Sequence, residues 1–577
     1  MKGRITVDQA IFVGLVLLAA LVRVWNLGSA PLQADEAVVA LESWFMSRGL
    51  PSTVEFGPVI TYGNALVFSL FGANDASARV LPALAGSVLV ALCYFSRPYL
   101  GRHAAIAGAF LLALSPTSVY FSRFVGSEIV AATALFGSAM LLFRYLGGRR
   151  PTYLYGCAAS LGVAVGASVT GLVGLTTLLS FWGLTRLVSW AGRGRQLPTL
   201  ASGPNAMDGG TGQLVLSQDP RVIRKALAIF GAVVLLVATG GLSNLYGFQQ
   251  GIISRSMPSA DVVGYTPAYY VQILIIYETI VVVFAFARVF YSSRQSGLFS
   301  WFVAWWAFVS LVLYSVWPQK SPSLAIHILV PMTLLAAEFI GDLLAWFEVE
   351  RPFARLGTLA AFVTPPLFLA FLTLGSFSLP DERIPWEFAL APLLMLALPI
   401  AGFVRWRGAT ETIRLAGICL LSLLLAVYLH AGSNLNFARE PNATELYAPS
   451  VTVGDARNLA TDISELARLL GGTADKSVFV DSWFQYPLAW YLRNVDGIEY
   501  GARPTGDPRI VVAREGRREA SRAAEAVQPD ARYLARYVVS ASWEPRELDP
   551  AMLWRWLAYR EPDGSLRYNV AEVTVKR

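Results

Sequence analysis

The chain has 577 residues, 55% of them hydrophobic and 15% charged, with a formal net charge of +7. Soluble domains run at about 45–50% apolar and about 25% charged, so the composition excludes an ordinary soluble enzyme and points to an integral membrane protein. The basic excess lies in short loops between apolar runs; it reads as membrane topology and argues against a nucleic-acid partner.

The first apolar run, Ile11 to Val24, lies in a span predicted over 8–26. Gly28, Ser29 and Ala30 follow it as small residues follow a signal peptide. Arg23 interrupts the apolar core, however, and Asp35-Glu36 comes too soon for a neutral linker, so the helix is read as uncleaved. Further spans are predicted over 78–96, 104–121, 127–146, 153–170, 171–188, 225–245, 268–290, 299–317, 324–345, 357–378, 387–404 and 413–431. That makes about thirteen segments of bilayer-spanning length. They have to be helices, because hydrocarbon offers no partner for backbone N–H and C=O groups. The long run 153–188 is divided only by Gly166 and Gly171.

Orientation follows from Lys and Arg, which stay on the cytoplasmic side in short loops. Lys2 and Arg4, Arg97 and Arg102, Arg149 and Arg150, the 188–224 loop, Arg294, Arg351 and Arg355, and Arg405 with Arg407 then lie inside. The segments 27–77 and 246–267, the turn around Lys320 and the Asp381-Glu382 loop lie outside. The expected location is the cell membrane, with several passes and the amino terminus in the cytoplasm.

Two regions are not membrane-like. The 188–224 loop, rich in Pro, Gly, Ser and Asn, reads as a flexible linker. From about residue 432 to 577 short strands alternate with helices: strands at 477–481, 509–513, 533–540 and 568–576, and a helix at 517–527. The expected organisation is a transmembrane domain over 1–431 and a soluble α/β domain over 432–577, outside the cell.

Cys93, Cys157 and Cys419 fall inside predicted spans and form no disulfide framework. His103, His327 and His430 lack metal-ligand spacing, and His327, alone on an apolar helix, reads as a packing residue. There is no glycine-rich phosphate loop, which argues against an ATP-driven pump.

The chemistry concentrates at the outer boundary. Asp35-Glu36 follows the first span, then Gly57-Pro58, then Ser115 to Glu128 with Arg123 and a second acid, Glu128; Lys320 sits in a turn on the same face. Tyr62 and Tyr120 could face a cavity there. Two acidic positions and two cations suit transfer of a sugar from a lipid phosphate: a carboxylate acts as general base on an acceptor hydroxyl, while Arg, Lys or a divalent cation neutralises the leaving phosphate. Simpler roles compete at each position. Asp35-Glu36 can cap a helix, Glu128 can pair with Arg123, Arg79 can anchor its span at headgroup level, and Lys320 can snorkel to the interface.

Asp35-Glu36, Gly57-Pro58, Ala78–Gly86 and Ser115-Pro116 through Ser122-Arg123 to Glu128 resemble the C-type membrane glycosyltransferases related to protein O-mannosyltransferases and aminoarabinose transferases. Tyr314-Ser315, Lys320-Ser321-Pro322, His327 and Pro331, with Pro487–Arg493, resemble the prokaryotic subgroup associated with flippase activity in archaeal N-glycosylation. The resemblance implies Asp35 as catalytic base, with Glu36 positioning it or binding metal. It implies Glu128 as the second acid and possible metal ligand, and Arg123 and Lys320 on the donor phosphate. Gly57, Pro58, Tyr62 and Tyr120 would line the substrate cavity. It further implies a polyprenyl-phosphate sugar donor, inversion at the anomeric carbon, a glycan, lipid or protein acceptor outside the cell, and a divalent cation, Mg or Mn, as candidate cofactor. Two positions depart from the subgroup: Phe56 replaces His before Gly-Pro, and Gln319-Lys320-Ser321-Pro322-Ser323 replaces Glu-Lys-x-Pro-Trp. A transporter or scramblase of lipid-linked saccharides, and a noncatalytic subunit of a glycosylation complex, remain competing readings.

Overall fold

The computed structural model describes residues 6–50, 57–191, 219–241, 267–290, 297–317, 320–350, 401–406, 408–437, 445–447, 450–469, 478–506, 508–515, 531–543 and 566–576. The spans predicted over 357–378 and most of 387–404, residues 192–218 of the 188–224 linker, the helix at 517–527, Phe56 and Gln319 lie outside these residues, while 220–224 open a helix. Among the described residues seven helices are long and apolar enough to cross a membrane, or up to nine if each of two bent pairs is one span. The chain is an integral membrane protein.

The helices of the membrane region are α1 (Val7–Val24), α2 (Ala34–Ser47), α3 (Pro58–Phe71), α4 (Asp75–Leu100), α5 (Arg102–Leu114), α6 (Pro116–Ser122), α7 (Glu128–Gly148) and α8 (Pro151–Ala167). They continue as α9 (Thr170–Ala191), α10 (Pro220–Ala238), α11 (Tyr269–Tyr277), α12 (Thr279–Phe290), α13 (Leu298–Val316), α14 (Ala325–Glu350) and α15 (Ala409–Phe437). The run 153–188 divides as expected: α8 stops at Ala167 and α9 starts at Thr170. Gly171 lies so close to the Ala164 carbonyl that a Cβ would collide with it, so the turn needs its glycine.

Two segments predicted as continuous spans are broken instead. Residues 104–121 bend by 57° between α5 and α6, and residues 268–290 by 110° between α11 and α12. The first break follows from Ser115-Pro116: proline disfavours a helical residue before it and opens a new helix well, and the Ser115 hydroxyl caps α6 by accepting from the Ser118 amide at 3.0 Å. The second break centres on Glu278, whose carboxylate accepts from Ser115 Oγ at 2.6 Å and from the Thr117 amide at 3.0 Å. An acid at a helix amino terminus is favourable with the helix dipole. The two breaks therefore stabilise each other inside the bundle, where water cannot satisfy the freed backbone groups.

Beyond α15 the chain forms β1 (Ser450–Thr452), α16 (Asp455–Leu469), β2 (Val478–Asp481), α17 (Gln485–Tyr491), β3 (Ile498–Gly501), β4 (Ile510–Arg514), β5 (Ala531–Trp543) and β6 (Leu566–Lys576). The six strands form one mixed sheet in the order β1-β5-β6-β4-β2-β3, with β2 parallel to β3 and β4 and the other pairs antiparallel. The strands expected from sequence near 477, 509, 533 and 568 correspond to β2, β4, β5 and β6. Helix α16, not anticipated, covers the sheet with an apolar stripe of Ala456, Leu459, Ala460, Ile463 and Ala467, the spacing of an amphipathic helix. Helix α17 packs both ways: Leu488 joins the core under α16 and the sheet, while Ala489 and Trp490 share a core with Leu32, Val39, Ile60 and Phe68 of the membrane region.

Candidate active site

Gln33 ends the loop after α1 and opens α2, its amide donating to Glu36 Oε2 at 3.0 Å. Successive helical residues point about 100° apart, so Asp35 and Glu36 face different surroundings. Glu36 is almost wholly buried. Its Oε1 accepts from Arg79 Nε at 2.9 Å and from the Val125 amide at 2.8 Å, and its Oε2 from Arg79 Nη2 at 2.6 Å. Arg79 is also buried, so of the structural and lipid-facing roles open to it the structural one holds. The rest of its guanidinium reaches the carbonyls of Leu27, Ala30 and Pro31 at 3.1, 2.9 and 3.1 Å. A buried ion pair is tolerable when its remaining donors and acceptors are satisfied, and here they fix the irregular loop between α1 and α2. Asp35, by contrast, is exposed, and its charge acts on the Tyr120 hydroxyl together with those of Glu36, Arg79 and Glu445.

Glu128 opens α7 three residues after Val125, a reach of at most about 11 Å along the chain. It does not pair with Arg123. Its Oε1 accepts from Ser168 Oγ at 2.8 Å and its Oε2 from Thr170 Oγ1 at 2.9 Å, with His327 Nε2 also 2.9 Å from Oε2. His327, buried on α14, is thus a partner of an acid and not simply a packing residue; its ring lies 5.8 Å from that of Tyr314. Gly57, with φ of +38°, brings the start of α3 against the same corner: a Cβ there would lie 2.8 Å from Ser127 Oγ and 3.6 Å from the Ala167 carbonyl. Pro58 occupies the first turn of α3.

Arg123 donates to the carbonyls of Val22, Arg23, Trp25 and Asn26 at 3.1, 3.2, 2.6 and 3.4 Å, capping the carboxyl end of α1. Its guanidinium also lies 5.0 Å from the Phe437 ring. Burial, with the nearby charge of Arg79, lowers it to about 10, so it stays charged at neutral pH. Lys320 donates to the Trp317 carbonyl at 3.2 Å. Tyr62 lies against α10, where Gly240 leaves no room for a Cβ beside its ring. Tyr120 stacks on Tyr447 at 5.8 Å. Asp35, Glu36, Tyr120 and Glu128 thus gather around the segment from α6 to the start of α7, with Gly57-Pro58 beside Glu128, whereas Arg123 and Lys320 are engaged with backbone carbonyls.

Residues 55–189, from just before α3 to near the end of α9, match a family model described as dolichyl-phosphate-mannose-protein mannosyltransferase. No curated protein matches the chain. Among solved structures, ArnT from Cupriavidus metallidurans in the apo state is 14% identical with a TM-score of 0.57, covering 98% of this chain and 97% of that one. The same protein bound to undecaprenyl phosphate is 16% identical with a TM-score of 0.53 and the same coverage. The chain therefore has the fold of the C-type membrane glycosyltransferases.

Within this C-type fold, one residue central to the site escaped the sequence reading as anything but an interruption. Arg23 is fully buried at the end of α1. Its guanidinium donates to Ser122 Oγ at 3.1 Å, to Ser118 Oγ at 3.0 Å, and to the carbonyls of Ala19, Leu112 and Ala113 at 3.1, 2.9 and 3.2 Å. These contacts use the five N–H groups of an arginine and bridge the α5–α6 break. Gly86, in the stretch Ala78–Gly86, makes the passage: a Cβ would collide with Ser122 Oγ and lie 2.7 Å from Arg23 Nε. A charge inside an apolar run was the available signal.

The acids expected to hold a divalent cation do not fit one as placed. Both Glu36 oxygens are taken by Arg79 and backbone amides, and both Glu128 oxygens by His327 and two hydroxyls. Among the described residues no three His, Cys, Asp or Glu side chains converge. Elsewhere among the described residues of the bundle, Arg288 pairs with Glu338 at 2.7 Å, and Glu278 bonds Ser115 and Thr117 through Oε1.

Proposed function

We propose that the protein transfers a glycosyl group from a polyprenyl-phosphate-linked donor to an acceptor hydroxyl outside the cell, with Asp35 as general base. The observation that carries this reading is the division of labour on α2. Arg79, the Val125 amide and the Gln33 amide fix Glu36, and this leaves Asp35 one residue earlier on an exposed face of a rigidly held first turn. A base positioned to within a fraction of an ångström is what proton abstraction in the transition state requires.

In this mechanism the acceptor hydroxyl gives its proton to an Asp35 carboxylate oxygen as its own oxygen bonds to the anomeric carbon. The bond from that carbon to the phosphate oxygen breaks, and the polyprenyl phosphate leaves with the electron pair. One displacement of this kind inverts the anomeric centre. Glu36 acts by holding α2. Lys320 uses one of its three donors on Trp317 and keeps two for the donor phosphate, whereas Arg123, occupied by four carbonyls, supports the end of α1. Glu128 with His327, Gly57-Pro58 and Tyr120 borders the acceptor side, and Tyr62 lies further along α3. No step passes through a metal. This reading sets the amino terminus in the cytoplasm and Asp35, Glu128 and the sheet domain on the opposite side, over a domain boundary near residue 432.

The test is transfer by purified protein in liposomes, using a panel of polyprenyl-phosphate sugars with and without divalent cations. Asp35→Asn is expected to lower turnover by about 10²–10⁴-fold with unchanged insertion and melting. Turnover at the wild-type rate in that variant overturns the assignment.

A further inference from the structure

The loop from Leu27 to Gln33, which delivers Asp35 to its position, is held from two sides by two guanidinium groups. From the membrane side Arg79 takes the carbonyls of Leu27, Ala30 and Pro31. From the sheet domain Arg457, on α16, takes those of Gly28, Ser29 and Ala30 at 2.9, 2.8 and 2.9 Å. The Ala30 carbonyl accepts from both.

Arg457 does not approach alone. Asp75, in the first turn of α4 and one helical turn before Arg79, accepts from Arg457 Nε at 3.1 Å and Nη2 at 2.5 Å, from Tyr491 Oη at 2.9 Å and from Trp490 Nε1 at 2.7 Å. Tyr491 Oη in turn accepts the Leu32 amide at 2.8 Å, Gln33 Oε1 accepts the Thr452 amide at 2.8 Å, and Arg493 donates to the Ala73 carbonyl at 2.7 Å. The stretch Pro487–Arg493 and α16 thus close over the loop while gripping the same helix, α4, that grips it from below.

We propose that Arg457, anchored by Asp75 and assisted by Tyr491, is a positioning residue for Asp35, so that the sheet domain completes the active centre. The proposal rests on the reading of Asp35 as the base. A loop of seven residues between two helices lacks the regular hydrogen bonding of either, and its backbone carbonyls need partners to adopt one conformation. Removing one of two opposed grips leaves the loop tied but free to shift, and a misplacement of about 1 Å costs a catalytic step about 10²-fold. The loss falls on turnover and spares donor binding, because none of these side chains is on the donor side.

The experiment compares Arg457→Ala, Tyr491→Phe and Asp35→Asn in the full-length protein in liposomes, with the polyprenyl-phosphate sugar that supports wild-type turnover, and follows amide hydrogen exchange of residues 27–35 in parallel. Arg457→Ala is expected to lower kcat about 10–100-fold, with the donor KM within about twofold, and to speed exchange at Leu32 about tenfold or more. Tyr491→Phe, which removes one oxygen, shows the same pattern at smaller size and carries the test should Arg457→Ala fail to fold. Unchanged kcat in both variants while Asp35→Asn is inactive overturns the proposal, as does unchanged exchange over 27–35. If Asp35→Asn stays active, the base assignment fails instead, and the exchange data still decide whether the sheet domain holds the loop.

Discussion

Among the described residues the bundle contains two buried arginine–glutamate pairs, and they do different work. Glu36–Arg79, with side chains 1% and 6% exposed, sits beside an irregular loop, and its spare donors and acceptors all go to backbone. Glu338–Arg288, 6% and 8% exposed, joins regular helices α14 and α12, with Ser300 of α13 donating to Glu338. It borders an apolar cavity of about 430 Å³ lined by Phe181, Trp301, Trp305, Phe308 and Leu335. The two pairs lie at different levels of the bundle: Glu338 is eleven residues beyond His327 on α14, about 16 Å along the helix axis. The same pair of side chains thus organises backbone at one level and ties finished helices together at another. An ion pair's value depends less on its own geometry than on what else its remaining hydrogen-bonding groups must hold.

Breaking each pair separates these roles. Arg79→Leu strands the Glu36 carboxylate in the interior and releases three loop carbonyls, so it is expected to destabilise the protein by about 3–5 kcal/mol and to abolish transfer; a melt in detergent and the liposome assay check both. A smaller effect at the same end comes from Gly86→Ala, whose methyl group must push Arg23 and Ser122 apart. A loss of about 1–3 kcal/mol is expected, with reduced transfer that follows the melting temperature. The smallest effect is expected from the double variant Arg288→Leu with Glu338→Leu, since replacing a buried pair by apolar side chains is often neutral or stabilising. Melting within about 1 kcal/mol of wild type and unchanged transfer would sharpen the contrast; loss of transfer in this variant would erase it.

Much of this arrangement was legible in the sequence because it is local. Apolar runs of bilayer length gave the described spans, alternation gave strands β2, β4, β5 and β6, and the adjacent acids at 35 and 36 fall in the first turn of α2. The two broken spans were only half legible: Ser115-Pro116 carried a stop-and-start signal, while the break at Glu278 has neither Pro nor Gly and depends on α6 lying opposite. The partners of the site charges were not legible at all. Glu36 finds Arg79 across 43 residues, Glu128 finds His327 across 199, and Asp75 finds Arg457 across 382. Such pairings are set by how helices pack, which no local pattern encodes. Arg123, assigned to the donor phosphate by the family resemblance, gives donors to the carbonyls at the end of α1, contacts that no local pattern announces.

The double grip on Ala30 also has a consequence for biosynthesis. Arg79 emerges from the ribosome soon after the loop it holds, whereas Arg457 follows only after the polytopic bundle has been synthesised. A nascent chain can therefore insert with the turn that carries Asp35 fastened on one side only, and the second fastening arrives with the sheet domain. Maturation of this turn is in this way tied to synthesis of a domain that follows it by about four hundred residues.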